Sequence, residues 1–213
     1  MEPTSRTRLI RKPDRGSHDR DTVYAILDEG LICHLGFAVD GQPYVLPTTH
    51  ARIEDRLYVH GSVASRMLKT LKGGTPVCIT VTLIDGLVLA RSAFHMSMNY
   101  RSVVVLGTST EVSDHDHKRR AFKALVEHVL PGRSADIRAP SEQEIKATSL
   151  LCLPITEASA KARTGGPVEA EEDYALPCWA GVVPLALQAR APVPDSRLPP
   201  DTPLPREVAF YTR

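Results

Sequence analysis

The sequence predicts a mainly β protein with flanking helices, built around a six-stranded antiparallel barrel. Three observations carry that expectation. Apolar residues alternate with a period of two through "LICHLGFAV" and "PVCITVTLIDG". Tight-turn pairs, Asp40-Gly41, Glu54-Asp55 and Asp85-Gly86, close the runs at short intervals. The helical repeats are few and do not alternate with strands as they would around a parallel sheet.

In chain order, residues 1–20 are polar, basic and punctuated by Pro and Gly, and read as an arm that is ordered only if it docks. Val23, Ile26 and Leu27 stand at helical spacing in "DTVYAILD", which Gly30 ends. Leu31, Cys33, Leu35, Phe37 and Val39 then share one strand face. Asp40-Gly41 turns the chain into "QPYVLPTTH", and "ARIEDRLYVHG" gives the next hairpin. In "SVASRMLKTLKGG", Ala64, Met67, Leu68 and Leu71 fit a helix, with Ser62 as N-cap and Gly73-Gly74 as stop. "PVCITVTLIDG", "LVLARSAF" and "YRSVVVLGTSTEV" complete a meander, the first two joined by a turn at Asp85-Gly86. A helix from Ser113 to Leu130 is expected to bury Phe122, Leu125, Val126 and Val129. Ser141 and Glu144 form a capping box for the next helix, and "TSLLCLPI" reads as a last strand. From Pro154 onward lie ten of the seventeen prolines, and regular structure thins out. The expected division is an arm (1–20), a barrel domain (21–160) and a Pro-rich tail (161–213) packed on the barrel or on a dimer partner.

The net charge of +1, from 26 basic and 25 acidic residues, gives no electrostatic reason to expect nucleic acid or an anionic membrane as partner. No run approaches the roughly 20 apolar residues of a membrane span, and the N-terminus has no apolar stretch for a signal peptide. The four cysteines are widely spaced, which points to neither a disulfide framework nor a zinc site and favours a reducing, cytoplasmic setting.

Three polar segments interrupt this apolar design. "YVHGSVASRMLK" places His60, Gly61, Ser62, Ser65, Arg66 and Lys69 at a strand end and the start of a helix, where amides, hydroxyls and a guanidinium suit a phosphate. A capped surface helix with solvated cations reads the same spacing equally well. "VLPTTH" offers Thr48, Thr49 and His50 to the edge of a planar heterocycle, although Thr and His are common at strand ends. "SMNYRS" sets Asn99, Tyr100, Arg101 and Ser102 just before a buried strand, as a ligand site or as the cap of an edge strand. His115 and His117 are two apart and do not share a helix face, so a solvated helix start accounts for them better than a metal pair. Trp179 either covers a bound group or anchors the tail. Lys161 and Arg163 are solvated cations or contacts for an anionic substrate.

Taken in this order, "YVHGSVASRMLKTL", "VTLIDGLVLARSAFHMSMNYRSVVVLG" and "EASAKARTGGPVEAEEDYALPCWAGVVPL" resemble the FMN-binding split-barrel family that includes pyridoxamine 5′-phosphate oxidase and the nitroimidazole-resistance flavoproteins. The resemblance runs from about Arg11 to Thr156. It implies an FMN-binding split barrel, a homodimer with FMN at the subunit interface, and oxidoreductase activity on a small organic substrate. Ser65 and Arg66 would grip the FMN phosphate with Lys69 assisting, His60 and Gly61 would approach the ribityl chain, and Thr48 and Thr49 would line the isoalloxazine edge. Arg101 with Ser102 matches the Arg-Gln pair near phosphate and ring. The oxidases carry an Arg and a Lys in the strand that here reads "YVLPTTH", and their C-terminal pyridoxal-phosphate grip has no counterpart, so vitamin B6 oxidation is not implied. A non-catalytic FMN carrier or sensor, or a relative using deazaflavin or haem, stands as the alternative. The catalytic residue is left unassigned; His50, His60, His95 and Tyr100 are the candidate proton donors.

Arg66→Ala is expected to weaken FMN binding by about 1.5–3 kcal/mol, the range for a hydrogen bond to a charged group. Riboflavin, which lacks the phosphate, should bind the wild type and the variant alike in a fluorescence titration. An equal loss for both ligands would give Arg66 a role in the barrel instead.

Overall fold

The computed structural model describes residues 1–212. In chain order the elements are β1 (Gly16–Ser17), α1 (Arg20–Glu29), β2 (Ile32–Val39), β3 (Gln42–Ile53), β4 (Arg56–Ser62), α2 (Arg66–Leu71), β5 (Pro76–Leu89), β6 (Ser97–Thr108), β7 (Thr110–Glu111), α3 (His115–Val129), α4 (Glu142–Ala147), β8 (Thr148–Pro154), β9 (Glu157–Arg163), β10 (Gly181–Pro184) and α5 (Arg206–Ala209). All strand pairs are antiparallel, in the order β1-β9-β6-β5-β2-β3-β4-β8-β7, with β10 added to β5. Strand β3 belongs to both halves, pairing with β2 from Gln42 to Thr49 and with β4 from His50 to Ile53. No ladder joins β6 to β8 among the described residues, so the rolled sheet stays open as a split barrel.

Period-two alternation decides which side chains enter the barrel. Cys33, Leu35 and Phe37 of β2, Leu57 and Val59 of β4, and Val77, Ile79 and Val81 of β5 point inward. They meet Val23, Ile26 and Leu27 of α1, and Leu68 and Leu71 of α2. A second core lies on the other side of β4 and β8, where Tyr58, Leu150 and Cys152 pack against Ala121 and Leu125 of α3. Each buried Val, Leu and Ile among these contributes about 1.5–3 kcal/mol relative to exposure.

Several expectations are corrected. Asp85-Gly86 is a bulge within one continuous β5, not a turn between two strands. The reason is β10, which pairs with β5 from Leu89 to Gly86. A Cβ on Gly86 would lie 3.0 Å from the Val183 carbonyl oxygen, so glycine here admits a crossing strand. The α2 cap is Ser65 rather than Ser62, and its side chain makes no capping hydrogen bond. Phe122 and Val126 are only half-buried and Val129 is 48% exposed, whereas the α3 residues that are buried include Lys118. Lys118 Nζ donates to the Ile145 and Thr148 carbonyls and so ties α3 to the end of α4. The strand "EASAKAR" was not expected, yet it is β9, flanked by β1 and β6. The N-terminal arm docks: Thr4 and Arg6 bind Glu157, and Gly16–Ser17 pairs with β9. The Asp40-Gly41 hairpin forms as expected, both residues having positive φ, and so does the capping box of α4.

A Cβ on Gly61 would stand 2.9 Å from Leu68 Cδ1, and Leu68 is fully buried. Gly61→Ala should therefore cost about 1–3 kcal/mol in a denaturant titration, the usual cost of overpacking. At α4, the Arg138 guanidinium, then the Ser141 backbone N–H and hydroxyl, hold the Glu144 carboxyl down at about 2 from its ordinary 4.5. A carboxyl lowered on folding stabilises above its ordinary value, and that contribution is lost as the pH falls toward 2. Carbon-13 NMR titration should find that midpoint in the wild type and a return toward the ordinary range in Arg138→Ala.

Candidate functional site

Strand β4 ends in His60, Gly61 and Ser62, each set by the strand's alternation. Gly61 faces Leu68 of α2, so its lack of a side chain serves the close approach of helix and strand. Ser62 Oγ accepts from the Ala64 backbone N–H, and the Ser62 carbonyl accepts from the Ser65 N–H, which turns the chain into α2. Ser62 and Lys69 are exposed and Ser65 is half-buried, its hydroxyl not engaged as a cap. The expected phosphate-facing groups therefore stand together at the start of a six-residue helix. The side chain of Arg66 lies outside the described residues.

Thr48 and Thr49 sit half-buried where β3 leaves β2, with Thr48 Oγ1 donating to the Thr49 carbonyl at 3.4 Å. His50 is fully buried. Its Nε2 donates to the Leu27 carbonyl at 2.9 Å, and its ring lies 4.7 Å from that of His128. It joins α1 to the sheet and does not face a solvent-accessible site.

The β6 group serves the strand's surroundings. Arg101 is clamped by two carboxylates, Glu29 at the end of α1 and Asp85 at the β5 bulge, with Nη2 to Glu29 and to Asp85 both 2.8 Å. These hydrogen bonds raise its pKa further, and a guanidinium so engaged is not presented to a phosphate. Asn99 is buried. It accepts from Arg163 and donates to the Gly165 carbonyl, while Arg163 also donates to the Gly165 and Gly166 carbonyls. Desolvation lowers the pKa of this buried Arg163, which is a structural post and not a solvated cation. Ser102 Oγ donates to the Lys161 carbonyl, and Tyr100 stands half-buried opposite Ile84 and Arg163. Within one chain, the structure gathers Gly61 to Lys69 but does not bring Arg101 to them.

The feature that sequence reasoning missed is a cavity of about 730 Å³ between α3, the following loop and the ends of β4 and β8. His60, Phe122, Val126, Ile137 and Thr148 line it, with Arg119, Lys123 and Arg138 at its polar positions. Phe122 meets the His60 ring edge-on at 6.4 Å. His60 Nδ1 is buried without a hydrogen-bond partner, and burial lowers the pKa of the imidazole. The available signal was the apolar stripe of α3, in which Ala121 and Leu125 meet the sheet while Phe122 and Val126 of the same stripe are left to line the cavity.

The remaining candidates resolve simply. His117 Nε2 shares a 2.8 Å hydrogen bond with the Tyr58 hydroxyl, and His115 lies 3.3 Å from Glu142, so the two histidines serve separate contacts. His95 Nδ1 is held by Ser92. Lys161 donates to the Arg11 carbonyl. Trp179 is 67% exposed and packs over Gly181 at the start of β10, an anchor of the tail in this chain.

The family model described as pyridoxamine 5′-phosphate oxidase matches residues 19–162. The flavocytochrome Anf3 from Azotobacter vinelandii superposes with a TM-score of 0.91 at 42% identity, covering 97% of this chain and 96% of that one. The FAD and haem binding protein from Mycobacterium smegmatis gives a TM-score of 0.88 at 38% identity, covering 92% of this chain and 96% of that one. A candidate 5-nitroimidazole antibiotic resistance protein from Bacteroides thetaiotaomicron shares the fold, with a TM-score of 0.56 at 23% identity over 68% of this chain and 85% of its own. No curated protein matches the sequence. The open antiparallel barrel and a match spanning most of the chain make this protein a member of the pyridoxamine 5′-phosphate oxidase family.

Proposed function

We propose that this chain is a flavin- and haem-binding redox protein that works as a homodimer. The observation that carries the reading is the cavity at the end of β4, a second compartment with a histidine in its wall, directly before the Ser62–Lys69 segment. Likeness over nearly the whole length, tail included, to two proteins named for flavin and haem supports it. Ser62, Ser65, Arg66 and Lys69 would hold the flavin phosphate, and Thr48 and Thr49 would border its ring. The Ser65 hydroxyl, not used as a cap, and the exposed Lys69 ammonium fit an anionic group. When bound, the flavin supplies one- and two-electron chemistry and the haem one-electron chemistry, while the protein holds them in place and tunes them. We read the flavin as FAD on the likeness to the mycobacterial protein, FMN being the form that the family resemblance of the sequence implies.

The outward face of the sheet supports a dimer. Ile32 is 44% exposed and Val45 64%, and the alternation puts Cys78, Val104 and Leu106 on the same side, an apolar surface that a second copy would cover. All four cysteines are free, which supports the cytoplasmic expectation, and no helix among the described residues is long and apolar enough to cross a membrane.

Protein purified from cells supplied with iron should show flavin bands and a Soret band, and chromatography of the released flavin should return FAD; FMN would restore the sequence expectation. Flavin at a hundred times its dissociation constant should add about 2.7 kcal/mol of stability. Light scattering should report twice 23.3 kDa. Flavin bands without haem uptake would leave a simple flavoprotein, and a tight-binding monomer would rule out a flavin at the subunit seam.

A further inference from the structure

We propose that the cavity under α3 is the haem compartment, in which His60 would bind the iron and Arg119, Lys123 and Arg138 would receive the propionates. This rests on the flavin-and-haem reading above. The chemistry of the walls selects the ligand. A volume of about 730 Å³ falls within the roughly 300–1,000 Å³ of cofactor pockets. Phe122, Leu125, Val126, Ile137, Ala139 and Pro140 present the apolar surfaces that the faces of a flat macrocycle require. Against three cations the lining carries a single carboxylate, Glu144, so the cavity suits an apolar disc with an acidic edge. Arg119 and Arg138 each pair with one carboxylate, Glu142 and Glu144, and their side chains remain 36% and 70% exposed, so a propionate has a single solvent-screened ion pair to compete with at each, unlike the doubly clamped Arg101.

Comparison with the neighbouring histidines singles out His60. His50 donates to the Leu27 carbonyl, His128 to the Gly30 carbonyl, and His117 shares a hydrogen bond with Tyr58. The His60 ring, by contrast, borders the cavity with Nδ1 buried and unpartnered, a condition that native interiors rarely leave uncompensated. It is also the one imidazole among the lining residues. Its position is fixed by β4, where it pairs with Leu150 of β8, and by the edge of Phe122. A ligand carried on a rigid strand, against a helix face that supplies the pocket walls, is a preorganised site.

The test is titration of haem-free protein with haemin, comparing wild type with His60→Gly, with and without added imidazole. Loss of even an outer-shell partner of a metal ligand costs about 10- to 100-fold in affinity, so His60→Gly should cost at least that, and free imidazole should restore the wild-type Soret band. Resonance Raman spectra of the ferrous wild type should show an iron–histidine stretch, a readout independent of how well the variant folds. Haemin dimethyl ester, which lacks free propionates, should bind more weakly than haemin, and the Arg119→Ala/Arg138→Ala double variant should narrow that difference. A wild type that takes up no haem would sink the flavin-and-haem reading itself. Haem binding with a Soret band and Raman spectrum unaltered by His60→Gly, or indifferent to esterification, would keep that reading and overturn this site.

Discussion

Everything in this molecule depends on β4 being a wall with two apolar sides. A strand cannot choose where alternate residues point, so Leu57 and Val59 enter the barrel while Tyr58 and His60 are delivered to the space under α3. A one-residue slip would exchange these sets and place an imidazole in a dry core. The register is pinned at both margins. Asp55 receives the Ile155 amide at one end, and Ser62 faces Thr148 at the other. The candidate phosphate segment begins where this strand ends, so its position is inherited from the barrel.

The sequence was most legible where chemistry is local. The Asp40-Gly41 turn, the Ser141/Glu144 capping box and the alternation of β2 each need only a few neighbouring residues to be recognised, and each forms. Failures occurred where a distant partner decides. Asp85-Gly86 has the composition of a turn, but β10, nearly a hundred residues later, holds it in an extended strand. The run "EASAKAR" has small residues and no strong alternation, and becomes β9 because β1 and β6 stand ready on either side.

The candidate site shows the same division. Gathering His60 to Lys69 on one strand-to-helix junction was legible because they are consecutive in the chain. The fate of Arg101 was not, since Glu29 and Asp85 come to it from two other elements. The cavity was invisible for a similar reason. Phe122 and Val126 carry the spacing of core residues, and only the path of the loop after α3 leaves space before them.

The placement of β9 also governs the order in which the chain can be completed. Gly16 pairs with Lys161, and Thr4 and Arg6 reach Glu157, so the arm acquires its partners only once about 150 further residues are in place. Until then β6 carries a bare edge from Tyr100 to Leu106, the stretch that β9 later covers. Contacts between such distant segments fold slowly, and a nascent or truncated chain ending before Arg163 exposes a Val-rich strand edge to its neighbours. The arm and β9 thus act as a late closure in two layers, β9 covering the edge of β6 and Gly16–Ser17 covering part of the edge of β9.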